Sequence, residues 1–325
     1  MLRISLLLFF SCFLVQSAKA WGFWAHQRIN RIAVFTLPIE MIVFYKENIE
    51  YLTEHAVDPD KRRYAIEGEA PRHFIDLDHF CIYPCDDFPK TWYDAKERYS
   101  EDTLNAYGTV PWTIEWMMNS LTRAFEEGNK AKILKYSADI GHYIGDSHVP
   151  LHTTENYNGQ LTDQYGIHGF WESRLPELFN EDYDYFVGSA SYIEDRNSFI
   201  WGNVLHAHWQ LEAVLLYEKE LDALFPPDQK FSYEARGTSL VRAYSFAYSE
   251  AYHKKLEGMV EAQMQLSIKH VGDIWYTCWV NAGSPDLSKL EDMEFDDEEA
   301  KQLKENYGKI KSRSHAETGS EIISD

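Results

Sequence analysis

Basic residues are scarce in this chain. Thirty-one Lys and Arg face 52 Asp and Glu in 325 residues, a formal charge of −21. That excludes nucleic-acid binding through diffuse positive charge, the usual origin of non-specific affinity. Cysteine is scarcer still, at four residues, which excludes a disulfide-dense scaffold. Setting aside Cys12, the remaining Cys81, Cys85 and Cys278 cannot make a tetrathiolate zinc site. One disulfide and one free thiol is the simplest arithmetic for an exported chain, with the pairing left open. Beyond the first twenty residues no apolar run is long enough to span a bilayer. Internal repeats and a Gly/Pro linker are missing too, so nothing divides the body of the chain.

What is present suffices for a core. Hydrophobic residues make up 45% and aromatics 15%, which excludes wholesale disorder. Met1-Leu2-Arg3, the apolar run Ile4 to Val15 and the small-x-small Ala18-Lys19-Ala20 form a secretory signal pattern, residues 1–20. Reading Cys12 as a lipoprotein processing site is the weaker alternative, because the apolar run continues past it. Cleavage after Ala20 removes Arg3 and Lys19 and takes the charge from −21 to −23. The expected protein is therefore exported, beginning at Trp21.

Helical periodicity dominates residues 21–288. Ile114, Met117, Leu121 and Phe125 recur at spacings of three and four, as do Ile133, Tyr136, Ile140 and Ile144. Leu205, Trp209, Ala213 and Leu216 repeat the pattern, and so do Leu256, Met259, Val260, Met264, Ile268, Val271 and Trp275. With few alternating runs, the expectation is an all-α, irregular multi-helix bundle. From Lys289 the composition turns acidic, with seven acids between Glu291 and Glu299. Residues 289–325 read as a solvated tail with partial disorder.

Two short motifs carry chemistry. His142-Tyr-Ile-Gly-Asp146 and His168-Gly-Phe-Trp-Glu172 each set an imidazole and a carboxylate four apart, one helical turn on one face. Either pair alone reads as a surface ion pair. Two such pairs within residues 142–172, with His152 between them, read instead as ligands for zinc or manganese. Upstream, His26, His73 and the Asp58-Pro59-Asp60 turn add donors. His206 and His208 read as packed or hydrogen-bonded, His79, His148 and His253 as supporting or surface residues.

Together these spacings resemble the superfamily that joins zinc-dependent phospholipase C to the fungal single-strand-specific nucleases. Trp21-Gly22-Phe23-Trp24-Ala25-His26 is similar to the mature start of the nuclease branch, and Gly145-Asp146-Ser147-His148-Val149-Pro150-Leu151-His152 to the central family motif. The resemblance implies an all-α fold with a trinuclear zinc cleft. Trp21, His26 and Asp146 would hold one Zn2+. Asp58, His73, His142 and the bridging Asp146 would hold a second, and His152, His168 and Glu172 a third. Asp58 is preferred over Asp60 because Ala56-Val57-Asp58 better resembles the family pattern, and it is expected to serve in catalysis. Phe74 and Asp76 resemble the nuclease residues that stack on and hydrogen-bond a base, and Arg62 or Arg63, with Arg63 favoured, the phosphate-binding Arg. Glu172 is the phospholipase-like choice where nucleases carry Asp, and Trp24 stands where the phospholipase has an acidic choline-binding residue.

The implied activity is hydrolysis of a phosphodiester, nuclease-like on single-stranded nucleic acid, by water that zinc activates for in-line attack. Three divalent cations add +6 locally and reverse the sign of an acidic surface where the substrate binds. A phospholipase C for a non-choline head group is the enzymatic alternative, and a non-catalytic zinc-binding envelope protein the other class. No obligate protein partner is implied.

Overall fold

The structure, a computed structural model, describes residues 22–236 and 239–290, and every structural statement below concerns these. The signal segment, Trp21 and the acidic stretch from Glu291 lie outside the described residues.

Helices α1 (Phe23–Ala33), α2 (Ile39–Glu47), α3 (Ile49–Glu54) and α4 (Asp58–Arg63) lead to a 3-10 turn at Ala70–His73. Then come α5 (Leu77–Phe80), α6 (Trp92–Tyr99), α7 (Glu101–Tyr107), α8 (Val110–Glu126) and α9 (Lys130–Ser147). A second 3-10 turn, Pro150–Thr153, precedes α10 (Ile167–Gly169), a π-helical turn at Phe170–Arg174 and α11 (Leu175–Phe179). The long α12 (Arg196–Leu224), α13 (Phe246–Lys255) and α14 (Met259–Asn281) complete an all-α, multi-helix fold. The exception to the helical pattern is one antiparallel hairpin, β1 (Phe231–Arg236) with β2 (Ser239–Tyr244), in register Phe231 to Tyr244. Tyr233 and Leu240 stay exposed, so the alternation there buries too little to stand out in the sequence.

Two helix boundaries follow local chemistry. Asn129 caps α9, its Oδ1 accepting from the Lys132 N–H at 3.0 Å. At its other end α9 stops at Ser147, three residues short of Pro150, so His152 sits on the 3-10 turn instead of the helix. Leu256, expected to open the last helix, belongs to the end of α13. Glu257 at φ 50° and Gly258 at φ 81° break the chain there before α14 starts.

The core is built around fully buried Trp112, Trp171, Trp275, Tyr45, Tyr143 and Phe125. Trp275 of α14 donates to the Ser137 carbonyl of α9 at 3.1 Å, and the Tyr45 and Ser137 hydroxyls pair at 2.9 Å. Such bonds satisfy the polar tips of buried aromatics. α1 packs directly against α9 where Gly141 and Gly145 present no side chains. A Cβ at Gly141 would fall 2.0 Å from Asn30 Oδ1, and one at Gly145 would fall 3.0 Å from His26 Nδ1. These glycines sit one residue before His142 and Asp146, so the close approach seats His26 of α1 against that pair. Asn30 secures it, donating to the Ala138 carbonyl at 3.1 Å.

Gly108 fixes a second approach. Its φ is 94°, and a Cβ there would sit 2.2 Å from the Phe74 carbonyl oxygen. The Val110 N–H bonds that same carbonyl at 3.1 Å, and Thr109 N–H bonds Pro71 O at 2.6 Å. The segment carrying His73 is thereby clamped to the start of α8. A Gly108→Ala protein is expected to lose roughly 3 kcal/mol of stability from backbone strain and overlap, measured by denaturant unfolding. A midpoint unchanged from the parent would sink this account.

Candidate metal centre

The two i,i+4 pairs lie on different kinds of helix. His142 and Asp146 occupy the last turn and a half of α9, both buried. His168 lies on α10 and Glu172 on the π-helical turn, a geometry frequent at functional sites. Arg174 anchors that turn by a two-pronged bond to Glu234 of β1, one prong at 2.8 Å. The hairpin thus holds the segment that presents Glu172.

Three groups of donors converge, each with ligand atoms within 4.8 Å of one another: His26, His142 and Asp146; Asp60, His73 and His142; His152, His168 and Glu172. Asp146 faces several imidazoles at once. Its Oδ2 lies 2.9 Å from His73 Nδ1 and 3.3 Å from His142 Nε2, and its Oδ1 lies 3.4 Å from His26 Nε2. The His26 and His142 rings stack with centroids 3.8 Å apart. In the third group Glu172 Oε2 lies 2.9 Å from His168 Nε2 and 3.3 Å from His152 Nε2.

Backbone carbonyls orient two of these rings. His142 Nδ1–H donates to Ala56 O at 2.9 Å, and His152 Nδ1–H donates to His73 O at 2.5 Å. A carbonyl can only accept, so each ring, when neutral, turns its Nε2 lone pair toward the donor group. Metal-ligating histidines commonly show this second hydrogen bond.

The donor chemistry fits a metal. His142 Nε2 faces His73 Nδ1 at 3.1 Å, and His152 Nε2 faces His168 Nε2 at 3.0 Å. Nitrogens that close need a proton or a cation between them. Asp60 Oδ2 and His73 Nε2 are buried without a hydrogen-bond partner among the described residues. Burial alone would lower the His142 pKa, yet Asp146 and Asp60 raise it to about 9. Burial opposes ionisation of Glu172 as well, and His168 with His152 still holds it well below the usual carboxylate range. The carboxylates thus create a negative potential that positive charge must neutralise.

His26, His73, His142, Asp146, His152, His168 and Glu172 all lie in these three groups. Asp58 stands apart from these groups. Its carboxylate accepts from Lys61 Nζ at 2.8 Å and meets His55 Nδ1 at 2.6 Å, both partners three residues away on the same turn. Asp60 comes in instead, its Oδ1 3.8 Å from His73 Nδ1 and 3.7 Å from His142 Nε2. A sequence signal for this existed: Asp58 has hydrogen-bonding side chains, His55 and Lys61, at i−3 and i+3, whereas Asp60 has Val57 at i−3. Arg62 is taken up by Asp139 and Glu69, whereas Arg63 is half-buried with its guanidinium near the Tyr64 ring. Phe74 and Asp76 directly follow His73 and are half-buried. Burial, then Asp78 and Glu155, push the Asp76 carboxyl up to about 7.

Two histidines outside the groups have ordinary partners. His208 pairs with Thr153 Oγ1 at 2.9 Å, and His148 donates to Ile144 O at 2.7 Å. Cys81 and Cys85 form a disulfide, and Cys278 is a buried free thiol whose pKa burial pushes up to about 12. A thiol so held is no nucleophile at neutral pH.

Fold and site together define an all-α protein with buried, metal-type donors converging in three groups. Among solved structures, the alpha-toxin of Clostridium perfringens from an avian strain matches with a TM-score of 0.49 and 18% identity, over 83% of this chain and 65% of that one. This chain therefore spans less than two thirds of that protein's length. No protein-family model and no curated protein matches the chain. Among the described residues no helix is long and apolar enough to cross a membrane.

Proposed function

We propose that this chain is an exported, zinc-dependent phosphodiester hydrolase acting on single-stranded nucleic acid. The observation that carries the reading is the convergence of three His/carboxylate groups, two of which share His142. When bound there, zinc supplies Lewis acidity and brings the pKa of water toward about 7.

The chain's own residues do the rest. His26 and Asp146 would form one ligand set with the terminal amine of Trp21, a residue outside the described ones. Asp60, His73, His142 and Asp146 form the second, and His152, His168 and Glu172 the third. Here Asp60 replaces Asp58, whose carboxylate is committed to Lys61 and His55. Arg63 follows Asp60 by three residues on α4, so it lies on the same face and can meet a phosphate held near Asp60. Arg62, bound to two buried carboxylates, cannot turn to do so. Phe74 offers a ring for stacking, and Asp76 an acceptor for base N–H groups.

Glu172 supports a second reading, a phospholipase C for a non-choline head group, since the resemblance places Glu there in that branch. The two are separated by assaying protein that begins at Trp21 on single-stranded oligonucleotide and on phospholipid vesicles. Oligonucleotide cleavage is the expected result. Diacylglycerol release without it would reverse the order, and three bound zincs with no turnover of either would support a non-catalytic zinc-binding protein.

Processing enters through Trp21. A Met left ahead of it turns the α-amine into a peptide nitrogen, a far poorer ligand. That protein is expected to bind two zincs tightly instead of three, by elemental mass spectrometry. Equal zinc content in both proteins would count against a terminal ligand.

A further inference from the structure

Behind the second ligand set lies a buried ion network. Arg62, its side chain 14% exposed, donates from Nη1 to Asp139 Oδ1 and from Nη2 to Glu69 Oε1, each at 3.2 Å. The Tyr143 hydroxyl donates to Glu69 Oε1 at 2.5 Å. Lys135 closes on Asp139 Oδ2 at 2.6 Å, and Arg72 reaches Glu69 Oε2 at 3.5 Å. Both carboxylates are buried. Burial would push them toward the neutral acid, yet Arg62 and Lys135 hold Asp139 well below the usual range, and Arg62 lowers Glu69.

The anchors of this network come from the same three segments as the donors beside it. Arg62 follows Asp60 by two residues on α4. Glu69 immediately precedes the turn that ends at His73, and Arg72 lies within it. Asp139 and Tyr143 lie on α9 on either side of His142, and the Tyr143 ring meets the His73 ring edge-on at 5.5 Å. Six residues of α4 and a four-residue turn cannot hold themselves rigid. Nor do clustered acceptors attract one another before a cation arrives. A guanidinium fork can span two carboxylates where an ammonium, as a point charge, cannot.

We propose that Arg62 is the positioning residue of the Asp60, His73 and His142 metal site, holding its three segments in register by bridging Asp139 to Glu69. The inference rests on the metal reading of those donors. Partners one layer behind metal ligands typically govern affinity by about 10–100-fold.

The test is chelator-competition titration with zinc, on full-length protein beginning at Trp21, of the parent, Arg62→Met, Arg62→Lys and Tyr143→Phe. Arg62→Met is expected to weaken one zinc by about 10–100-fold and leave the His152, His168 and Glu172 site as tight as in the parent. Imidazole nitrogen NMR shifts should assign the weakened ion to His73 and His142. Arg62→Lys should not restore affinity. Should Arg62→Met fail to fold, Tyr143→Phe, which removes one hydroxyl, is expected to weaken the same ion several-fold. Unchanged affinity, equal weakening of every zinc, or full rescue by lysine would each overturn the proposal. A parent that binds no zinc would instead defeat the metal reading itself, and the role of Arg62 with it.

Discussion

Replacing Asp146 with asparagine is expected to leave one tightly bound zinc and to cut phosphodiester turnover by roughly a thousandfold, equivalent to about 4 kcal/mol of transition-state stabilisation. The reason is geometric. The Asp146 oxygens face His26 on one side and His73 with His142 on the other, at 2.9 to 3.4 Å. One carboxylate would thus serve two ligand sets. Asparagine keeps the shape but loses the charge and one acceptor oxygen. The group of His152, His168 and Glu172 keeps its own carboxylate, so its ion should remain. Elemental analysis and turnover of a nitrophenyl phosphodiester measure both effects. Retention of every ion with near-parental turnover would show that Asp146 does not bridge.

The second large effect separates neighbours two residues apart. Asp60→Asn is expected to lose about one zinc and at least a hundredfold in turnover, about 3 kcal/mol. Asp58→Asn should keep its zinc and most of its activity, losing on the order of 1 kcal/mol of stability with the bonds to Lys61 and His55. Asp60 has a buried oxygen with no hydrogen-bond partner, beside two imidazoles. Asp58 already has the Lys61 ammonium and the His55 ring within hydrogen-bond reach. Loss of zinc in Asp58→Asn alone would restore the original preference.

Much of the site was legible because its spacing is helical. His142 with Asp146, and His168 with Glu172, are fixed on one face by a four-residue interval, whatever the rest of the chain does. His152 follows from a helix that must end before Pro150. The choice between Asp58 and Asp60 was harder. Both begin the same short helix, and which one turns inward depends on where His55, His73 and α9 lie around it. The pairing of Arg62 with Glu69 and Asp139 gave no signal, since an acid and a base far apart in sequence look like any solvated charge.

The acidic composition and the four cysteines determined by themselves that no diffuse basic surface and no thiolate cluster could do the chemistry. The helical repeats determined the all-α fold, and the motif spacings pointed to His142, Asp146, His152, His168 and Glu172 as donors. Tertiary structure decided how those donors group, because His26, Asp60 and His73 reach α9 through packing between segments far apart in sequence. Gly141 and Gly145 permit that approach, and Gly108 clamps the turn bearing His73. Periodicity reports which face of a helix is buried. It carries no information about which other segment will be pressed against that face, and the metal-type donors meet at just such contacts.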